Sequence, residues 1–225
     1  MKKAYPKVEL LSVYGDELNI VNSARVSFNK QKFTFDEKDE RLIRYLLKHD
    51  HWTPFSHALL RLRIHAPIFV AREWFRHVIG VTRNEVSRRY VTDEPLFYMP
   101  DYFRIKSKDK KQGSIDQVNS KDHIFKLRYK RFLKRAKDLY NEMLNADIPP
   151  EQARMILPQS MITTWIETGS LYFYLRVISL RCKEDAQKEI RIIAFDVKDI
   201  LTKHFPHVMS AYEDIEKAKV NMNEK

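Results

Sequence analysis

Arg76-His77-Val78-Ile79-Gly80-Val81-Thr82-Arg83-Asn84-Glu85-Val86-Ser87-Arg88-Arg89-Tyr90 concentrates guanidinium, imidazole, carboxylate and hydroxyl groups in one segment with almost no core-forming pattern. Guanidinium forks beside a hydroxyl and backbone N–H groups are the donors that a phosphate needs, so the segment suggests an anion site. Just upstream, Pro67-Ile68-Phe69-Val70-Ala71-Arg72-Glu73-Trp74-Phe75 reads as a helix opening at Pro67, where the missing N–H costs nothing. On that helix Glu73, Arg76 and His77 stand at i, i+3 and i+4 and share one face, while Ile68, Phe69, Val70 and Trp74 form its apolar body. From spacing alone, a solvated charged face ending in a loop is an equally good reading.

Other reactive groups read more plainly. Cys182 stands beside Arg181, a neighbour that could lower a thiol pKa. Adjacent helical residues point about 100° apart, so the two cannot face one substrate, and Cys182 is expected to be structural. Ser87 lacks a base and an orienter at recognisable spacing, which makes it a binding group rather than a nucleophile. His57 is expected to be a satisfied structural histidine. With four glycines and no Gly-rich loop, a Rossmann-type dinucleotide site is excluded.

These groups must be held by an ordinary folded core. The 225 residues suit one domain that buries about 70% of its unfolded surface. No apolar run approaches the ~18 residues of a membrane span, and no apolar region follows Met1-Lys2-Lys3. One cysteine excludes an internal disulfide framework and fits a reducing cytoplasm. The net charge of +11 implies polyanionic company: nucleic acid, nucleotides, phosphorylated cofactors or a polyglutamylated folate.

Val8 to Val13 reads as a strand and Asp16 to Arg25 as a helix capped by Asp16. Asp36 to His49 is a helix with a buried stripe of Leu42, Ile43, Tyr45, Leu46 and Leu47. Thr53-Pro54 reads as an N-cap and first-turn proline, and Leu60 to His65 alternates as a half-buried strand. Residues 98–121 read as a mobile loop. Asp122 to Asn145 is a long basic helix in which Phe125, Tyr129, Phe132, Ala136, Tyr140 and Met143 face the core and Lys126 to Arg135 supply the outer charge. Pro149-Pro150 opens a short helix ending at Pro158. Ile162 to Glu167 is strand, Ser170 to Ser179 and Glu184 to His204 are helical, and 211–225 is a tail. The expected fold is α+β, with helices flanking a modest mixed sheet.

The segment resembles the signature of the flavin-dependent thymidylate synthases, Arg-His-Arg, seven residues, then Ser, within Trp-Phe-Arg-His-Arg…Asn-Glu-x-Ser-x-Arg-Tyr. Trp74-Phe75-Arg76-His77 and Asn84-Glu85-Val86-Ser87-Arg88-Arg89-Tyr90 both match. Val78 stands where the second arginine is usual, and eight residues rather than seven precede Ser87. Arg83 is a candidate to return the lost guanidinium. Similar blocks follow in family order: Ser23 to Phe28, His51 to His57, Ala66 to Arg72, Ala153 to Pro158 and Ser179 to Ile190. The likeness spans roughly residues 8 to 210 and is weakest over about 100 to 145.

This resemblance implies reductive methylation of dUMP to dTMP, with methylenetetrahydrofolate as carbon donor, NADPH as reductant and bound FAD. It implies a homotetramer whose active sites draw on several subunits, with no nucleic acid expected as partner. Arg181 would stabilise charge on the uracil ring. Glu73, where glutamine is usual, Trp74, Phe75 and Arg76 would line the dUMP site with Glu85, Val86, Ser87, Arg88, Arg89 and Arg154. Arg154 could equally pair with Glu151. FAD would be held by Thr53, Arg76, His77, Val78 and Glu85, and by a second patch at Ser170, Tyr172 and Arg176, whose residue types depart from the usual ones. His51 would lie near the folate and flavin rings. A basic nucleic-acid-binding protein using Lys126 to Lys137, and a flavoprotein of the same fold acting on another pyrimidine nucleotide, are the alternatives.

Overall fold

A computed structural model describes residues 3–107 and 113–223. Its strands are β1 (Lys3–Ala4), β2 (Lys7–Tyr14), β3 (Leu59–Pro67), β4 (Val81–Glu85), β5 (Phe97–Tyr98), β6 (Arg104–Lys106), β7 (Ser114–Val118) and β8 (Ile162–Ser170). Its helices are α1 (Glu17–Arg25), α2 (Glu37–Lys48), α3 (Ile68–Trp74), α4 (Asp122–Asn145), α5 (Pro150–Ala153), α6 (Leu171–Arg181), α7 (Lys188–His204) and α8 (Pro206–Asn223).

Local chemistry explains several of these boundaries. Asp16 accepts from the Asn19 N–H at 2.8 Å and so caps α1; Asp36 accepts from the Lys38 and Asp39 N–H groups and caps α2. In β3, Leu60, Leu62 and Ile64 are buried, while Arg61, Arg63 and His65 alternate onto the opposite face. That strand sits inside a four-stranded sheet of order β2-β3-β8-β4. β8 pairs with β3 without a break from Leu59↔Ser170 to Pro67↔Ile162, and β4 closes one edge from Val81↔Gly169 to Glu85↔Trp165. Helices α6 and α7 lay Phe173, Tyr174, Val177, Ile190, Ile193 and Val197 into the core, and α3 and α7 pack against the sheet.

Several expectations are corrected. The main sheet is antiparallel throughout, and the parallel pairing found is the two-residue β1–β5 contact. β3 alternates apolar and polar residues, whereas β8 buries Thr163, Trp165 and Glu167 on its inner face. Residues 98–121, read as a mobile loop, contain β6 and β7, which pair antiparallel; Arg104 grips buried Glu189 at 2.9 and 3.0 Å and Lys188 binds Asp116 at 2.7 Å. Residues 108–112 of that expectation lie outside the described residues. The supposed tail continues helix α8, whose Val208, Met209 and Ala211 are buried, as far as Asn223; residues 224–225 lie outside the description.

On α4 the buried residues are Leu133, Ala136 and Tyr140, whereas Phe125 and Phe132 are 46% and 53% exposed. Both stripes fit a three-and-four spacing, and the neighbours available decide between them. Tyr45 is likewise exposed, packed on the His49 ring at 4.4 Å rather than in the core. Trp52, not Thr53, precedes the 3-10 turn Thr53–Ser56, which has no side-chain cap. Helix α7 starts at Lys188, and α3 begins after an extended Pro67.

Candidate active site

α3 ends at Trp74, but its last turn is prolonged by bonds from the Arg76 N–H to the Glu73 carbonyl and from the His77 N–H to the Trp74 carbonyl, at 3.3 and 3.1 Å. This keeps Glu73, Arg76 and His77 on one side. Opposite them is the last turn of α6, which carries Arg181. Its Nη1 donates to Glu73 Oε1 at 2.5 Å and its Nε to His77 Nε2 at 3.0 Å. An acceptor Nε2 requires a neutral imidazole. Burial, and then the positive charges of Arg181, Arg83 and Arg176, push the His77 pKa down to about 4.

Glu73, Arg76 and Arg181 line a cleft of about 1100 Å³ between α3, the end of α6, the start of α7 and the β6–β7 hairpin. Arg72 and Arg191 line it as well, and Arg191 Nε is buried without a partner. Among the described residues no carboxylate pairs with Arg72, Arg76 or Arg191, so the cleft presents free positive charge to an anion. The sequence reading did not single out Arg72, Arg191 or the hairpin's Arg104, because no local pattern connects them. Their meeting depends on the packing of α7 against α3.

The motif's other half lies elsewhere. Beyond β4, Ser87 Oγ accepts from the Arg89 N–H at 3.3 Å, Arg88 Nη1 donates to the Asp93 carbonyl, and Arg89 pairs with Glu151 at 3.5 Å. Arg154 Nε donates to the Glu151 carbonyl at 3.4 Å. Arg89 and Arg154 therefore gather around Glu151, and neither they nor Ser87 line the cleft with Arg181. Glu85 accepts from Thr163 Oγ1 at 2.6 Å, and Val86 donates its N–H to the Thr164 carbonyl.

Trp74 and Phe75 face inward. Trp74 is fully buried and gives its indole N–H to Glu167, and Phe75 meets the Trp165 ring edge-on at 5.1 Å. Arg83 is also inward, its Nε 2.7 Å from Glu167 Oε2 and its guanidinium within 5.2 and 5.4 Å of the Phe75 and Phe173 ring centres. Val78, by contrast, is 68% exposed.

His77, Val78 and Arg176 do come together, around a pocket of about 110 Å³ with Phe173 and Val177. Tyr172 lies beside it, its ring 5.8 Å from the Arg176 guanidinium and 5.3 Å from the Trp52 ring, next to exposed Thr53. Ser170 is committed to the fold: it is buried, and its Oγ caps α6 by accepting from the Phe173 N–H at 3.1 Å. His51 is exposed beside Tyr45, and His57 is exposed rather than a core histidine. Cys182 caps the end of α6, where burial pushes its thiol pKa up, away from thiolate chemistry. No metal-binding cluster is present among the described residues.

The family model described as thymidylate synthase complementing protein matches residues 9–207. A flavin-dependent thymidylate synthase of Thermosipho africanus is 35% identical over 91% of this chain and 90% of its own length. One of Thermus thermophilus is 34% identical over 92% of this chain and 75% of its own. Among solved structures, the UMP/dUMP methylase PolB of Streptomyces cacaoi bound with 5-Br dUMP superposes with a TM-score of 0.84 at 28% identity, covering 94% of this chain and 96% of that one. The same methylase bound with 5-Br UMP gives a TM-score of 0.81. With the ordered motifs, the matched fold and these relatives in agreement, the chain belongs to the flavin-dependent thymidylate synthase family.

Proposed function

We propose that this protein reductively methylates dUMP to dTMP in the cytoplasm, with methylenetetrahydrofolate as carbon donor, NADPH as reductant and FAD as bound cofactor. The observation that carries the reading is Arg181, fixed between Glu73 and a neutral His77 on the wall of a cleft that holds Arg72, Arg76 and Arg191, none of them ion-paired among the described residues. A fixed guanidinium stabilises charge developing on a pyrimidine ring without first reorganising, and free arginines take the nucleotide phosphate.

The residues around His77 fit part of a flavin dinucleotide. Arg176 has no carboxylate partner among the described residues and can meet a diphosphate, while Trp52 and Tyr172 give a flat aromatic surface with Thr53 beside it. Ser170, buried and accepting from the Phe173 N–H, is the least accessible residue of that patch. When bound, the flavin supplies the hydride; the protein's share is orientation and charge. A pocket of about 110 Å³ takes only a fragment of such a molecule. The Ser87–Arg89 and Arg154 group also lies on another surface, where Tyr90 and Met155 are 79% and 73% exposed. Both features support a homotetramer in which Ser87, Arg88, Arg89 and Arg154 of one copy complete the cleft of another.

The test is spectroscopic and then chemical. The purified protein should carry flavin bands that bleach on anaerobic NADPH addition, faster with dUMP, and should form dTMP once methylenetetrahydrofolate is present. A protein that FAD cannot reconstitute would remove the proposal and favour polyanion binding through α4. A second reading, methylation of UMP, is supported by the similarity to a methylase solved with both 5-Br dUMP and 5-Br UMP. Parallel assays with UMP and dUMP decide between them.

A further inference from the structure

Helix α4 carries seven lysines and arginines against three acids, a large share of the net charge of +11, and the cleft uses none of them. Local pairing neutralises three of the seven: Lys126 binds Asp122 at 2.9 Å, Lys134 binds Asp138 at 2.8 Å and Lys137 binds Glu94 at 2.5 Å. Among the described residues no carboxylate pairs with Arg128, Lys130, Arg131 or Arg135, and all four are exposed.

Aromatic rings share that face. Phe125, Arg128, Phe132, Arg135 and Leu139 follow one another at three and four residues and so form a single stripe, with Arg131 beside it. Both phenylalanines are about half exposed, and Phe103 steadies the Phe125 ring edge-on at 6.4 Å. The other side of the helix is its anchor: Leu133, Ala136 and Tyr140 are buried, and the Tyr129 hydroxyl donates to the Tyr98 carbonyl at 3.1 Å. The stripe is therefore in place before any partner arrives, and its rings and guanidinium groups interleave rather than segregate.

Interleaving decides what the face fits. A solvated charged face has no use for exposed rings, and a helix lying in a membrane surface keeps its apolar and charged residues on separate sides. An isologous contact with a second copy would set arginine against arginine. A nucleic acid strand is complementary on both counts, because its phosphates are anionic and its bases offer π-faces for stacking. In a duplex those faces are already covered by neighbouring bases.

We infer that α4 is a docking surface for single-stranded nucleic acid, an activity beyond the one the family resemblance implies and separate from the cleft. Arg128, Arg131 and Arg135 take successive phosphates while bases stack on Phe125 and Phe132. From Phe125 to Leu139 the stripe runs about 21 Å, the length of about six nucleotides at stacked spacing. The inference stands on α4 alone, whatever chemistry the cleft performs.

The test is fluorescence anisotropy of the purified full chain with a labelled oligothymidylate of about 20 nucleotides, against the same strand paired as a duplex, from ~50 to ~200 mM salt. The native protein should prefer the single strand. Phe125→Leu with Phe132→Leu, which keeps the surface apolar but removes the rings, should weaken single-strand binding at least about tenfold and leave the salt dependence as it is. Arg128→Gln with Arg131→Gln and Arg135→Gln should flatten the slope of log affinity against log salt by about 2, at roughly 0.7 for each phosphate released. Duplex binding as tight as single-strand binding overturns the inference on native protein alone. So does a folded ring variant that binds the strand as native does. Loss of binding to phosphatidylserine vesicles in the ring variant, with strand binding kept, would assign the face to a membrane, and a changed oligomeric state in that variant would assign it to self-association; either result overturns the inference.

Discussion

Replacing Arg83 by methionine removes one partner of an ion pair whose other member, Glu167, is fully buried. Glu167 takes the Arg83 Nε–H at 2.7 Å, the Trp74 Nε1–H at 3.1 Å and the Trp165 Nε1–H at 3.0 Å. The substitution keeps an apolar stem between Phe75 and Phe173 but leaves the carboxylate with two neutral donors. Breaking a buried pair from one side costs about 3–5 kcal/mol; the two indole bonds that survive place this case near 3 kcal/mol. In a chain of this length each kcal/mol moves Tm by about 2–4 °C, so Arg83→Met should melt roughly 6–12 °C below native. Circular dichroism at one fixed protein concentration reads it, since Tm of a chain that self-associates depends on concentration. Adding Glu167→Gln removes the stranded charge and should recover a large part of the loss. Flavin affinity per folded molecule should be unchanged in Arg83→Met. A single variant melting within about 2 °C of native, a double variant melting below the single, or a loss of flavin from folded Arg83→Met would refute the inward role.

His77 should titrate near pH 4 by NMR, lowered by burial and then by Arg181, and Arg181→Ala should raise that value. Because its folded pKa lies below the ordinary 6.5, stability carried by neutral His77 is intact above about pH 6.5 and is lost progressively as pH falls toward 4; a melting temperature that rises over that interval in native, relative to His77→Asn, contradicts the assignment. Gly80 has φ +78°, and a Cβ there would lie 2.8 Å from Ser170 Oγ, so Gly80→Ala should cost at least about 1 kcal/mol; adding Ser170→Ala relieves the clash but not the backbone strain. Arg104→Met strands buried Glu189 and should destabilise by about 3–5 kcal/mol, with β6 and β7 losing hydrogen-exchange protection first; uniform loss across the sheet would contradict a local pin.

What could be read from the chain divides along physical lines. Helix α4 was legible to the residue because a 24-residue amphipathic pattern needs no distant partner to declare itself, although which of its two apolar stripes faced inward did need one. Asp16 announced α1 by local capping, the apolar stripe announced α2, and alternation announced β3. The β4 strand was hidden because Arg83, charged and apparently a surface residue, is buried by Glu167 and two aromatic rings that lie far away in sequence. The β6–β7 hairpin was hidden for the same reason: Arg104–Glu189 and Lys188–Asp116 join positions more than 70 residues apart. At the candidate site, spacing put Glu73 and His77 on one face, and resemblance alone pointed to Arg181 as what they hold. Ser170 could not be read as a helix cap from its position alone, although its hydroxyl accepts from the Phe173 N–H.

The place where the motif is one residue longer than usual carries a lesson about how such a segment can change. Side chains of a strand alternate between faces, so a residue inserted inside β4 would have thrown Arg83 to the solvent side and brought Asn84 or Thr82 against Glu167. Val78, Ile79 and Gly80 are exposed; Gly80 turns the chain at positive φ, its carbonyl accepting from the Ser170 N–H at 2.9 Å, before the β4 register begins at Val81↔Gly169. A residue added there alters the reach of the His77 side of the motif while every side chain of β4 keeps its orientation. Extra length at Val78 or Ile79 therefore changes the pocket that His77, Val78, Ile79 and Arg176 line while leaving the register of β4 on β8 as it is.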